Sequence, residues 1–286
     1  MTNKVKNIIF IGFIIGSFVF GLSSGYYKHF PMNTILKIGG KTGVEKLIPW
    51  EGRNFHTGVY EKSDITPTSK TGIYLTYGQS NSSNSGKLES RGFENTFMFL
   101  RGITYKYKNP SLGGTGYGGS VWGYVGEKLV SKEYHDNVIF SNCGWGGKSI
   151  HKLNEGEIFE YLVNSYYDLI EKYGRVDGIL FHQGESDNIT ELESQYYSGF
   201  KKFITNLEKN NIKTKIYLSR VSYCPRRPSN ETILNQQNEL IENFNFIFPG
   251  PETDLLIGDF RIKDNCHFNL KGLDKYSDMW VKLLIK

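Results

Sequence analysis

Four short apolar runs, GIYLTYG from Gly72, VIFSNCGWGG from Val138, GILFHQG from Gly178 and KIYLSRVS from Lys215, constrain this chain more than any other feature. Three of them end in glycine-rich or polar turns. Between and after them, Val121–Leu129, Ile158–Lys172, Glu191–Lys209, Ile233–Phe244 and Leu270–Ile285 carry apolar residues at helical spacing. Strand candidates that alternate with helical segments predict an α/β fold, a three-layer α/β/α sandwich around a mostly parallel central sheet. In such sheets ligands gather at the carboxyl ends of the strands, so the turns GQSN, GWGGKS and HQGESD are where chemistry is expected.

The chain is 286 residues long, with 38% hydrophobic and 22% charged residues, which supplies a core and excludes wholesale disorder. A net charge of +5 is too mild to imply a nucleic-acid partner. Three cysteines without a CxxC spacing allow one bridge at most and no zinc ribbon.

Ile8 to Leu22 is an uncharged apolar run preceded by Lys4 and Lys6 and followed by Ser23, Ser24 and Gly25. A membrane span needs roughly 17 to 25 apolar residues, so the run reads as a cleaved signal peptide or, with Tyr26 and Tyr27 at the interface, as a membrane anchor. Either places the rest of the chain outside the cytoplasm, secreted or membrane-attached. Residues 26–70 lack a sustained period and read as a stalk or an edge of the fold, leaving 71–286 as the folded domain.

Ser80 sits in Gly78-Gln79-Ser80-Asn81 directly after the first strand, where a tight turn lifts the hydroxyl to the sheet edge and frees its N–H. A serine needs a base to become a nucleophile. Of six histidines, His29 and His56 fall in the irregular leader and His135 among charges in a loop, where all three read as solvated; His151, His182 and His267 remain. His267 follows Asp264 by three residues, in a turn that can fold the carboxylate against the imidazole. Gly146, Gly147 and the amide of Gln183 offer further donors for an oxyanion hole. His182, Glu185 and Asp187 could ligate a metal, but no HExxH or matching Cys/His spacing occurs, and no metal or cofactor is expected.

Four blocks in this order, GQSN at 78–81, GWGGKSI at 144–150, HQGESD at 182–187 and DNCH at 264–267, resemble the SGNH (GDSL-type) hydrolases, specifically the carbohydrate-esterase branch that includes sialate O-acetylesterases and acetylxylan esterases. SVWGYVGEKL at Ser120–Leu129 resembles the family's small-residue helix between the first two blocks. The resemblance implies Ser80 as nucleophile, His267 as general base and later acid, and Asp264 as its orienting carboxylate. It implies Ser80 N–H, Gly147 N–H and Gln183 as oxyanion donors, and leaves Glu185 competing with Asp264 for the orienting role. Asn81, Trp145 and Lys148 are the expected substrate contacts, with Lys148 standing where a threonine is more usual. The function implied is removal of acetyl groups from an O-acetylated carbohydrate through an acyl-enzyme. Two other readings stay open: an extracytoplasmic glycan O-acyltransferase of the same fold, and a carbohydrate-binding protein with a retired site. Nothing in the sequence sets the oligomeric state.

Overall fold

The computed structural model describes residues 60–285; the Ile8–Leu22 run, His29 and His56 lie outside them. In chain order the described elements are β1 (Thr71–Gly78), β2 (Gly92–Leu100), β3 (Ile103–Lys108), α1 (Trp122–Ser131), β4 (Asn137–Asn142), α2 (Ile150–Leu153), α3 (Gly156–Tyr173), β5 (Gly178–His182), α4 (Glu185–Ile189), α5 (Tyr196–Lys209), β6 (Ile216–Arg220), α6 (Glu231–Asn243), β7 (Ile247–Glu252) and α7 (Leu270–Leu284).

Every residue of β1 and of β5 is buried, the signature of central strands covered on both faces. Among the described residues the sheet runs β3-β2-β4-β1-β5-β6-β7. All neighbours are parallel except β2 and β3, which form an antiparallel pair at one edge. The chain builds to one side of β1 as far as β4 and then crosses to β5 on the other. The three motif-bearing turns after β4, β1 and β5 therefore lie side by side where the winding reverses, the expected place for a site in an open parallel sheet.

Residues of opposite parity along β1 feed opposite faces. Tyr74 stacks on Phe140, which meets Trp122 of α1, and Trp122 packs against Trp280 of α7 with ring centroids 5.5 Å apart. Tyr77 stacks on Phe203 of α5, and Phe181 meets Phe200 of the same helix. Local signals set the helix ends: Asn230 caps α6 and Asn269 caps α7, each worth about 1 kcal/mol, and Gly174 ends α3 at φ +77°.

The sequence pattern predicts four of these strands and five of the helices, with α5 starting at Tyr196 rather than Glu191 because Glu193–Gln195 forms a separate 3-10 turn. β2, β3 and β7 escape it. β2 is irregularly half-exposed and its register with β3 shifts between Gly92 and Phe97, while β7 reads IFPGPE, whose two prolines argue against a strand except at a sheet edge, which is where it lies. One boundary also moves. Residues 60–70 belong to the fold's edge rather than to a stalk: Ser63 N donates to Thr104 O at 3.0 Å, Lys106 N donates to Glu61 O at 2.9 Å, and Lys62 pairs antiparallel with Tyr105.

Candidate active site

β1 ends at Gly78, which has φ +129° and where a β-carbon would lie 2.0 Å from the His182 carbonyl oxygen. Only glycine fits, and the close approach draws the first turn against the third. Ser80 then opens a 3-10 turn, Ser80–Ser82, and is 7% exposed. Trp145 N donates to Gly78 O at 2.8 Å, which lays the second turn across the first. A β-carbon on Gly146 would come within 3.8 Å of the Ser80 Cβ, so the backbone there passes Ser80 closely. Gly146 N is taken by the Thr115 hydroxyl at 2.8 Å, whereas among the described residues the N–H groups of Ser80 and Gly147 have no acceptor. Gly147 holds φ +67°, the left-handed conformation that suits glycine.

The fourth turn brings its own acid and base together. Asp264 Oδ2 lies 2.6 Å from His267 Nδ1, and Asp264 Oδ1 accepts the N–H groups of Cys266 and His267 at 2.8 and 2.9 Å. Burial works to raise the Asp264 pKa, but the His267 N–H, the imidazole and the Cys266 N–H outweigh it and hold the carboxyl below its usual range. A carboxylate at Nδ1 fixes the proton there and leaves Nε2 as the basic nitrogen.

Glu185, the rival orienting carboxylate, is fully buried and faces another histidine. Its Oε1 is 3.0 Å from His182 Nε2, and Tyr276 Oη is 2.8 Å from His182 Nδ1. Both ring nitrogens of His182 are thus engaged, which removes it as a candidate base. Burial pushes the Glu185 carboxyl up, yet the His182 imidazole and hydrogen bonds from His182 and Asn81 hold it below the usual range.

Asn81, an expected substrate contact, is engaged within the protein. Its side chain turns inward, 5% exposed, and its amide nitrogen donates to Glu185 Oε1 at 3.0 Å and to the Cys266 carbonyl at 3.2 Å. Its amide nitrogen thus ties the Ser80 turn to the His267 turn. Arg261, which the sequence did not single out, adds a second donor to the Cys266 carbonyl and others to Leu256 O and Thr253 O.

Gln183 is also fully buried, its amide nitrogen donating to the Asp187 carboxylate and, at 3.3 Å, to the Lys148 carbonyl. The latter is longer than a good N–H···O bond. Asp187 Oδ2 accepts Ile150 N at 3.0 Å as well, so one carboxylate joins the second and third turns. Burial raises the Asp187 pKa to about 6, against the pull of the Gln183 and Ile150 hydrogen bonds. Trp145 and Lys148 are half-buried on the second turn, with the ammonium 5.8 Å from the indole ring.

His135 is half-buried and engaged rather than free in solvent: its ring nitrogens sit 3.0 Å from Tyr74 Oη and 2.9 Å from Lys70 O, and burial lowers its pKa. Among the described residues no group of three His, Cys, Asp or Glu side chains is placed to hold a metal, and no helix is long and apolar enough to cross a membrane. Cys224 and Cys266 form a disulfide, which no spacing in the sequence specified.

Solved structures of similar shape share the fold. A protein from Arabidopsis thaliana superposes with a TM-score of 0.59 at 14% identity, covering 74% of this chain and 96% of its own. NanS gives 0.52 at 14%, with 77% and 98% covered, and a GDSL-like lipase from Parabacteroides merdae gives 0.51 at 14%, with 75% and 96% covered. No curated protein sequence matches the chain. The family model described as "Carbohydrate esterase, sialic acid-specific acetylesterase" matches residues 122–286, a stretch that holds the second, third and fourth turns and begins after Ser80. That match spans more than half of the chain, and with the esterase-like arrangement of its turns the protein belongs to this carbohydrate esterase family, the carboxylic ester hydrolases of acetylated carbohydrate.

Proposed function

We propose that Ser80, His267 and Asp264 are the catalytic triad of a serine esterase that removes acetyl groups from an O-acetylated sugar. His267 Nε2 takes the Ser80 proton as the oxygen attacks the acetyl carbonyl. The tetrahedral oxyanion is met by the N–H groups of Ser80 and Gly147 and by the Gln183 amide, whose long bond to the Lys148 carbonyl is the one it gives up. Collapse transfers the proton to the sugar oxygen and leaves an acetyl-serine. Water, deprotonated by the same imidazole, then releases acetate. The observation that carries this reading is the Asp264–His267 pair at 2.6 Å, on a turn tied through Asn81 to the turn that bears Ser80.

Trp145 and Lys148, half-buried on the turn next to the nucleophile, fit a sugar ring and an anionic substituent. We place the domain outside the cytoplasm, beyond a signal peptide or anchor at residues 1–25; the Cys224–Cys266 bridge supports this, since disulfides persist in oxidising compartments.

The test is acetate release from O-acetylated sialic acid, acetylated xylan oligomers and an aryl acetate by wild type, Ser80→Ala and His267→Ala. Each substitution is expected to cut turnover by about 10³-fold or more, and the ranking of substrates assigns the sugar. Turnover that survives in both variants would overturn the triad.

A further inference from the structure

We infer that the Cys224–Cys266 disulfide is a positioning element of this active site, holding the Asp264–His267 turn in register with Ser80 so that turnover depends on the intact bridge; this rests on the triad proposed above. Cys266 immediately precedes His267, and its peptide unit is a junction. Its N–H donates to Asp264 at 2.8 Å, its carbonyl accepts from Asn81 at 3.2 Å and from Arg261, and its sulfur is bonded to a residue 42 positions away.

Besides the bridge and the Arg261 side chain, which joins the Cys266 carbonyl to those of Leu256 and Thr253, the turn is held mainly by its own backbone. Ile262 N donates to His267 O and Asn265 N to Ile262 O, both at 2.8 Å, and these bonds shape the turn without fixing its place. Lys263, Asp264 and Asn265 are exposed at its tip. Two hydrogen bonds cross from it to the nucleophile's side, Asn81 to Cys266 O and Lys87 N to Phe268 O at 2.8 Å. The covalent tie runs the other way, to the segment after β6.

That segment is a firm anchor. Ser222 and Tyr223 both donate backbone N–H groups to Asp254 at 2.9 Å, and the Ser222 hydroxyl bonds the same carboxylate at 2.6 Å. Cys224 then pairs with Arg227 across a short turn. Cys224 is partly exposed, so dithiothreitol attack is expected at its side of the bridge, whereas Cys266 and the third cysteine, Cys143, are buried.

Reduction breaks the bond between the two sulfurs and forms a thiol on each, while a dithiol reductant supplies the two electrons and two protons and closes to its own disulfide. The Asp264–His267 pair lies wholly inside the turn, so reduction leaves it intact. What changes is its placement against Ser80, and misplacement of about 1 Å costs on the order of 10²-fold in rate. The expected signature is a lowered kcat with KM within twofold, an acid limb of kcat/KM that does not move, and recovery on reoxidation.

The experiment uses the full chain, oxidised, reduced with dithiothreitol and reoxidised, beside Cys224→Ser, with Cys143→Ser as the control thiol. Aryl acetate turnover is measured against pH, and amide hydrogen exchange of residues 262–268 is followed relative to β1. Reduction and Cys224→Ser should each lower kcat at least tenfold, speed exchange in 262–268 and leave β1 protected; reoxidation should restore wild type and not Cys224→Ser. Unchanged kcat and exchange after reduction would overturn the inference, as would a shifted acid limb. Oxidised protein without Ser80-dependent turnover would count against the esterase reading instead, and the exchange rates would then decide the bridge. Were Cys224→Ser to fail to fold, reduction of folded wild type gives the same readings.

Discussion

Asp264 grips His267 twice, through the imidazole Nδ1 at 2.6 Å and through the backbone N–H of the same residue at 2.9 Å. A carboxylate that holds both the ring and the peptide of its histidine sets tautomer and ring direction together. Glu185 has no such hold on His267; it reaches that turn only through Asn81.

Replacement of the two carboxylates should therefore part their effects. Asp264→Asn is expected to lower kcat by about 10³- to 10⁴-fold through the wrong tautomer. Its side chain is 44% exposed, so the melting temperature should move by only a few degrees. Glu185→Gln should do the reverse, costing about 1–3 kcal/mol in denaturant unfolding because the hydrogen bonds of a fully buried carboxylate to His182 and Asn81 are disturbed, with a smaller effect on kcat in the folded fraction. Equal kinetic losses in the two variants would show that Glu185 acts on the base directly.

Tyr276→Phe removes the hydroxyl that faces His182 Nδ1 at 2.8 Å and leaves a fully buried ring nitrogen without a partner. A loss of about 1–3 kcal/mol is expected in chemical denaturation. Turnover should change only severalfold, since His182 is part of the scaffold behind the site.

Asp187 has a distinct pH signature. With its pKa raised from 3.8 to about 6 by burial, the folded state keeps a proton that the unfolded chain has released between about pH 4 and pH 6. Stability contributed by this group is thus greatest below that window and falls as pH rises through it, by at most about 3 kcal/mol at roughly 1.4 kcal/mol per pH unit. Asp187→Asn keeps an oxygen for Ile150 and Gln183 and removes the titration. The difference in unfolding free energy between variant and wild type should grow in the variant's favour from pH 4 to pH 6 and then level off; a flat difference would contradict the assignment.

Three of the four candidate turns were legible in the sequence because they lie at the ends of central strands, where burial on both faces makes each strand a plain apolar run. The positions of Ser80, Gly147 and Gln183 follow from that, whereas His267, on the turn ahead of α7, stood out only through its spacing from Asp264. The partners of Asn81 could not be read, since its amide nitrogen bonds Glu185 and Cys266, 104 and 185 residues away. The partner of Cys266 and the inward turn of Arg261 were hidden for the same reason. β7 stayed unread because its prolines obey a sheet-edge rule that only the strand order reveals.

Glu61 and Ser63 occupy the outer rim of β3, where they use backbone groups that would otherwise face solvent. An uncovered strand rim is a template on which a second molecule can add its own strand. A chain cut back to begin at Thr71 would keep Ser80, Asp264 and His267 and still bare that rim. Its expected failing is self-association, seen as a concentration-dependent shift to larger species in size-exclusion chromatography, and a chain that retains residues 60–70 should elute without one. The short segment ahead of the first strand thus serves as the cap of an open sheet edge.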